Sequence, residues 1–321
     1  MEAFFSRINN KIIDKNKTYI IAWSGGIDSS FLFYYLVQNN FKNIICAFVN
    51  YHQRPQSYNE EIFTKKLAQK NNYLWFKKDF YFEKNQKINF QDWARKKRYQ
   101  FFKELALIYK CDVLIAHHFD DLIETFLIQK KRNALISYYG IKTKTFFVKL
   151  NNNNEKKSLY LLRPLLNVLK KEIILFLDKN KLEYYKDFSN YIPKYLRNKI
   201  RLNLNLNLKQ KKLILKEIKK LNLKLELEIR KSQILFYSLY KNYKIINLNI
   251  LIKHPFNIVK RVLFNFFEKR NYLFLILNKK HAFLSEVIKQ LKSQKKKLVI
   301  QITNHYYLLK NNNELEIKNK T

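Results

Sequence analysis

Thr18-Tyr19-Ile20-Ile21-Ala22-Trp23-Ser24-Gly25-Gly26-Ile27-Asp28-Ser29 reads as a strand that stops at two glycines and restarts as a helix. The first six residues form an apolar run suited to a buried strand, and Ser29 to Val37 leads out as a helix. The chain has only three glycines in 321 residues, and two of them stand here. Without a Cβ, this pair lets the strand turn sharply and leaves backbone N–H groups exposed at the helix N-terminus. Such a turn binds phosphate, because the unpaired amides and the helix dipole both favour an anion. The plainer alternative is a turn that only joins strand to helix.

Outward from this turn the pattern repeats. Apolar runs at 18–23, 44–49, 73–76 and 113–116 alternate with helical stretches at 29–39, 57–71, 90–109 and 120–131. Apolar strands separated by helices predict an α/β fold with a parallel sheet covered on both faces. Ligands in such sheets bind beyond the carboxyl ends of the strands. Three segments fall at those ends: 24–29, Asn50-Tyr51-His52-Gln53-Arg54, and His117-His118-Phe119-Asp120-Asp121.

Further along, the polar run 151–157 (NNNNEKK) reads as a loop, followed by Leu162-Arg163-Pro164-Leu165 and a helix near 168–180. From about 206 the texture changes to long Lys/Leu/Ile helical patterns, with helices around 255–270 and 279–293. The tail carries strand-like runs at 297–302, 306–309 and 314–317, with Asn311-Asn312-Asn313 as a turn. Two domains are expected: a catalytic α/β domain over 1–205, and a basic, mainly helical domain over 206–321 with a small terminal β element.

The composition sets outer bounds. A hydrophobic fraction of 47% can fill two cores, and the net charge of +38 suits a polyanionic partner. Only 11 of the 63 basic residues are arginine, and the chain is rich in Asn and Ile. An AT-biased genome would raise lysine in the same way, so nucleic-acid binding and codon bias both remain open. Cys46 and Cys111 lack C-x-x-C spacing, which excludes a disulfide framework or a cysteine-ligated cluster and suits a reducing cytoplasm. The N-terminal MEAFFSRINNK has no secretory apolar region, and no run reaches the ~18 apolar residues of a membrane span. The expectation is a soluble, cytoplasmic protein.

Two segments bear chemistry. Ser-Gly-Gly-x-Asp-Ser after a strand lacks the Gly-Lys-Ser/Thr ending of Walker-type loops. In Ala116-His117-His118-Phe119-Asp120-Asp121-Leu122-Ile123-Glu124-Thr125, a helix starting near Asp120 puts Asp121 and Glu124 on one face, with Asp120 as its N-cap. His117 then sits at the end of a strand. A Zn or Mg site is an alternative for this cluster, although it lacks the His spacing of helix-borne zinc sites.

SGGIDSS resembles the pyrophosphate loop of the N-type ATP pyrophosphatases. With NYHQR (50–54), ARKKRYQFF (94–102), AHHFDDLIET (116–125), RPLL (163–166) and DFSN…LRNKIR (187–201), the chain resembles the tRNA(Ile)-lysidine synthetases of that superfamily. The likeness is dense over 18–201 and thin beyond. It implies ligation of L-lysine to C2 of the wobble cytidine of CAU-anticodon tRNA(Ile), through an adenylated base, with release of AMP and pyrophosphate. By the same likeness Ser24, Gly25, Gly26, Ile27, Asp28 and Ser29 hold the pyrophosphate of ATP. Asp28 approaches it through Mg²⁺, and His117, Arg95 and Arg98 act near the α-phosphate. Asp121 and Glu124 orient lysine and help remove its proton, and Arg197 and Arg201 bind the amino acid or AMP. Arg163-Pro164 is expected to shape a loop and not to be catalytic. The family's usual glycine-rich segment is replaced at 131–140 by KRNALISYYG, and His281 with its helix resembles a distal tRNA-binding domain only loosely. The sequence leaves monomer and homodimer open.

A tRNA thiolation enzyme of the same superfamily and a non-catalytic RNA-binding module are the rival readings. Thiolation needs catalytic cysteines or an iron–sulfur cluster, whereas Cys46 and Cys111 sit in apolar runs where buried cysteine is ordinary. The Cys46→Ala/Cys111→Ala variant is therefore expected to keep wild-type tRNA-dependent pyrophosphate release; loss of that activity would revive thiolation.

Overall fold

The computed structural model describes residues 7–83, 89–132, 135–152, 155–185, 206–276 and 280–320. The chain divides into two compact units: Met1–Phe126 with Gly140–Leu206, and Leu127–Tyr139 with Asn207–Thr321. The second unit thus takes in 127–139, a stretch that the sequence pattern assigns to the first.

In the first unit, β1 (Tyr19–Ala22), α1 (Ile27–Gln38), β2 (Ile44–Asn50), α2 (Gln56–Lys70), β3 (Leu74–Asp79), α3 (Phe90–Tyr109) and β4 (Asp112–Leu114) alternate as expected. Next come α4 (Phe119–Arg132), β5 (Lys144–Asn152), β6 (Glu155–Leu162) and α5 (Lys170–Lys179). The sheet order is β3-β2-β1-β4-β6-β5, with every pairing parallel except the β5–β6 hairpin at the edge. That hairpin is a correction. Asn151, Asn152 and Glu155 to Lys157 are paired strand residues, so strand takes up most of the expected 151–157 loop.

Side chains leave each strand alternately to the two faces, which splits the core in two. Tyr19, Ile21, Ile44, Cys46 and Leu114 pack with Phe31, Leu32 and Leu36 of α1 and with Ile173 and Leu177 of α5. Ile20, Ile45, Ala47 and Val113 pack on the other face with Phe101, Phe102 and Leu105 of α3. Both cysteines are buried. Burial pushes the Cys111 thiol up to about 12 and raises that of Cys46 as well, so neither thiolate forms readily at neutral pH.

β1 lies between β2 and β4, so the chain runs out to one edge of the sheet and then returns to the other side of β1. This is the topological switch point, where crossovers diverge and leave a crevice at the carboxyl ends of the strands. The glycine loop follows β1, and the His-His-Phe-Asp-Asp segment follows β4.

The second unit holds α6 (Leu208–Leu239), β7 (Tyr240–Lys241), β8 (Lys244–Ile245), α7 (Leu248–Ile252), α8 (Phe256–Lys269) and α9 (Lys280–Leu291). Strands β9 (Lys297–Gln301), β10 (Tyr306–Asn311) and β11 (Glu314–Asn319) complete an antiparallel sheet in the order β7-β8-β11-β10-β9. One cluster built on Phe236, Val259, Leu263, Phe267, Leu284, Ile288, Leu308 and Leu315 joins helices to sheet. The segment after α4 belongs here. The Tyr139 N–H donates to Asn222 Oδ1 at 2.8 Å, Asn222 Nδ2 returns a bond to Tyr139 O at 3.0 Å, and Arg261 donates twice to Ile136 O at 3.1 Å. No described helix is long and apolar enough to cross a membrane.

Candidate active site

The loop after β1 is fixed by its own hydroxyls and amides. Gly25 has φ +76°, a left-handed conformation that an L side chain adopts only under strain. Its carbonyl accepts from Ser30 Oγ at 3.0 Å and from the Tyr185 N–H at 2.9 Å. Trp23, stacked on Phe33 with ring centroids 3.9 Å apart, donates its indole N–H to Ser30 Oγ at 3.2 Å. Ser29 Oγ donates to Gly26 O at 3.0 Å and accepts from the Ser24 N–H at 3.2 Å. These bonds hold the turn, and a parallel bridge between Gly26 and Tyr185 ties it to the segment that follows α5.

Gly26 differs from Gly25. Its φ of −75° suits any residue, and a Cβ there would meet only Ser24 Oγ, at an ordinary 3.5 Å. It is the N-cap of α1 and provides no side-chain acceptor. The N-terminus of α1 and the Ser24 and Ser29 hydroxyls, 3.1 Å apart, thus come together as a cradle of the kind that accepts a phosphate group.

Asp28 stands in that first turn. Its Oδ1 accepts from Lys170 Nζ at 2.5 Å and lies 3.5 Å from His118 Nε2. No group of three His, Cys, Asp or Glu capable of holding a metal occurs among the described residues. A single carboxylate still fits Mg²⁺, which binds through one or two carboxylates and fills the rest of its shell with phosphate oxygens and water.

From β4 comes the second wall. Helix α4 begins at Phe119, one residue before the expected start. Asp121 and Glu124 share a face of its first turns, and both are 5% exposed. Asp121 Oδ2 accepts the His118 N–H at 3.0 Å, and His118 Nε2 lies 3.5 Å from the same oxygen. His118 is thus buried between Asp28 and Asp121, whereas the sequence points to His117. Asp120 does not cap its own helix: its carboxylate accepts the Lys170 N–H at 2.8 Å and so satisfies the N-terminus of α5.

His117 meets Arg163, whose Nε donates to His117 Nδ1 at 3.1 Å. A guanidinium only donates, so Nδ1 must accept and Nε2 carries the ring proton. Arg163 also donates to Lys142 O and to Thr145 Oγ1, both at 2.8 Å. Burial lowers its pKa, and a hydrogen bond to Tyr99 opposes that shift. The expected loop-shaping role of Arg163 accordingly gains a second part, fixing the His117 tautomer. Tyr99 in turn carries Arg95, whose guanidinium lies 4.9 Å over the Tyr99 ring, and Arg98, at 6.0 Å. The charge of Arg98 also reaches Tyr51, whose burial pushes its hydroxyl up to about 12.

In the remaining segment, Asn50, His52, Gln53 and Arg54 line a cavity of about 490 Å³ with Ser57, Glu61 and Lys77. His52 bonds to Asp79 at 2.8 Å and stacks on Tyr81 at 4.5 Å. Arg197 and Arg201, with Asp187 to Asn190, lie outside the described residues.

The glycine loop, the buried acidic pair and the Arg–His contact all stand at the carboxyl ends of β1, β4 and β6. Comparison with known proteins then decides the family. The PP-loop domain profile matches residues 1–208. A tRNA(Ile)-lysidine synthase of Mycoplasma mycoides is 36% identical over 315 residues, covering 94% of this chain and 74% of the relative. Another, from Mesoplasma florum, is 32% identical over 285 residues, covering 87% and 68%. The chain belongs to the tRNA(Ile)-lysidine synthase family. Its members are PP-loop ligases that modify tRNA. Among solved structures, a U34-tRNA thiolase from Methanococcus maripaludis superposes with TM-score 0.51 at 18% identity, covering 70% of this chain and 78% of its own. That likeness speaks for the fold alone.

The two glycines separate stability from binding. Gly25→Ala is expected to destabilise the first unit by about 1–2 kcal/mol through its positive φ. Gly26→Ser, a good N-cap residue, should keep the melting temperature yet weaken ATP binding about tenfold by filling the cradle. Calorimetric titration of ATP into the variants checks this, and wild-type affinity in Gly26→Ser would place the phosphates elsewhere.

Proposed function

We propose that this protein joins L-lysine to C2 of the wobble cytidine of CAU-anticodon tRNA(Ile), consuming ATP. The observation that carries the reading is the buried pair Asp121 and Glu124 at the same carboxyl end of the sheet as the glycine loop. An RNA-binding surface on a chain of charge +38 has no use for two desolvated carboxylates. A ligase that must accept a cationic amine has one.

The reaction has two parts. The cytidine O2 attacks the α-phosphorus of ATP, the bond to the β-phosphate oxygen breaks, and pyrophosphate leaves. The ε-amine of lysine then attacks C2, AMP leaves, and the amine gives up a proton. In the first part the amides of residues 26–29 and the Ser24 and Ser29 hydroxyls take the departing pyrophosphate. Mg²⁺ held by Asp28 supplies charge neutralisation there. His117 offers its Nε2 proton as a donor toward the α-phosphate, and Arg98 and Arg95 add positive charge where it is needed. Arg163 keeps that donor in place.

In the second part lysine must present a neutral amine, although its side-chain pKa is about 10.4 in water. Asp121 and Glu124 pair with the incoming ammonium, which offsets the cost of their own burial, and one of them accepts its proton. Arg197 and Arg201 complete the proposal as groups for the amino-acid carboxylate or for AMP. The second unit, with its lysine-rich α6, is proposed to hold the tRNA through backbone phosphates. The thiolation alternative loses support from the buried Cys46 and Cys111.

The test incubates the protein with ATP, Mg²⁺, radiolabelled lysine and CAU-anticodon tRNA(Ile), beside the methionine tRNA of the same anticodon. Label is expected in the isoleucine tRNA alone. No label in either RNA would overturn the reaction, and equal label in both would overturn its specificity.

A further inference from the structure

Lys170 occupies an unusual place. It opens α5, where the dipole of the helix disfavours a cation, yet its side chain is held by one strong contact, the 2.5 Å bond from Nζ to Asp28 Oδ1. Its backbone is anchored separately, by the 2.8 Å bond from its N–H to Asp120 Oδ2. The root of the side chain is therefore fixed, while its ammonium pairs with Asp28 alone among the described residues. Both side chains keep 32% exposure, so the pair is not sealed from solvent or a ligand. Helices α1 and α5 pack together through the edge-to-face rings of Phe31 and Phe176, which brings their two first turns to one end of the sheet.

Asp28 presents a difficulty that Lys170 resolves. A carboxylate in the first turn of α1 repels the polyphosphate that the turn is built to take. Lys170 cancels that charge before any nucleotide arrives. When Mg²⁺ enters with ATP it competes for the same Asp28 oxygen, and the displaced ammonium, on a flexible four-carbon stem, stays within reach of phosphate oxygens.

We propose that Lys170 is a nucleotide-binding residue: it guards Asp28 in the free protein, yields it to Mg²⁺, and transfers its ammonium to the phosphates of ATP. This inference rests on the reading of residues 24–29 as the ATP site. No covalent bond changes; one ion pair is exchanged for two.

The test is calorimetric binding of ATP to the full chain across a Mg²⁺ series, for the wild type, Lys170→Met and Lys170→Arg. Thermal melting of each protein is run alongside. Lys170→Met is expected to raise the ATP Kd about tenfold or more, the weight of one charge-assisted hydrogen bond. The same variant should reach half-saturation at lower Mg²⁺, because Asp28 has lost its competing cation. Lys170→Arg should restore part of the affinity. An ion pair that only braces the fold would lower the melting temperature of Lys170→Met and leave both the Kd and the Mg²⁺ midpoint unmoved, which overturns the proposal. A raised Kd with an unmoved midpoint would overturn the exchange. If the wild type itself bound no ATP at any Mg²⁺ concentration, the site reading would fail together with the inference.

Discussion

The left-handed backbone at Gly25 is the constraint on which the site depends. A strand entering a helix without an intervening loop must reverse its hydrogen-bonding direction within one or two residues, and only a residue without Cβ does this free of strain. Everything around the turn serves that geometry. Trp23 and Ser30 brace it from below, Tyr185 ties its carbonyl, and Ser29 closes the ring of hydroxyls. With the turn held in this way, the N-terminus of α1 is set at the end of β1, where a helix favours an anion. The sheet order then decides what else reaches that place, since β1 and β4 are neighbours and their carboxyl ends open on one crevice.

Charge in the site is arranged against the charge of the chain. The protein carries +38, yet its crevice gathers Asp28, Asp120, Asp121 and Glu124, with His118 buried among the first three. Carboxylates removed from water need partners, and here these are an ammonium, an imidazole and backbone amides. Arg163 has the opposite task. It is a buried cation satisfied by a carbonyl, a hydroxyl and an imidazole nitrogen, and its value lies in the direction it imposes on His117. The two halves of the site thus differ in sign, and on the proposed reading amides and arginines serve the phosphates while carboxylates serve the amine.

Much of this was legible in the sequence because the signals are local. The apolar runs at 18–23 and 44–49 became buried strands, and the helix expected over 90–109 has those bounds. The spacing of Asp121 and Glu124 put both on one face of α4 without any knowledge of tertiary structure. Long-range features were hidden. The β5–β6 hairpin carries Asn and Lys, residues that read as a loop until β6 pairs with β4 and β5 closes the edge of the sheet. Lys170 lies 142 residues from Asp28, and nothing in its neighbourhood announces the pairing. His118 was passed over for His117 because adjacent histidines cannot be told apart until the backbone turns one inward. The KRNALISYYG stretch reads as a departure from the family, and its residues from Leu135 to Tyr139 belong with the helical unit, held by Asn222 and Arg261.

The central claim is that the amides following Gly25 are the seat of the phosphates. Backbone amide chemical shifts, followed by ¹⁵N NMR while pyrophosphate and Mg²⁺ are added, test it directly. The account predicts the largest displacements at Gly26, Ile27, Asp28 and Ser29, with Gly25 shifting less because its turn is already fixed. Saturable binding that moved amides elsewhere and left these four in place would contradict it.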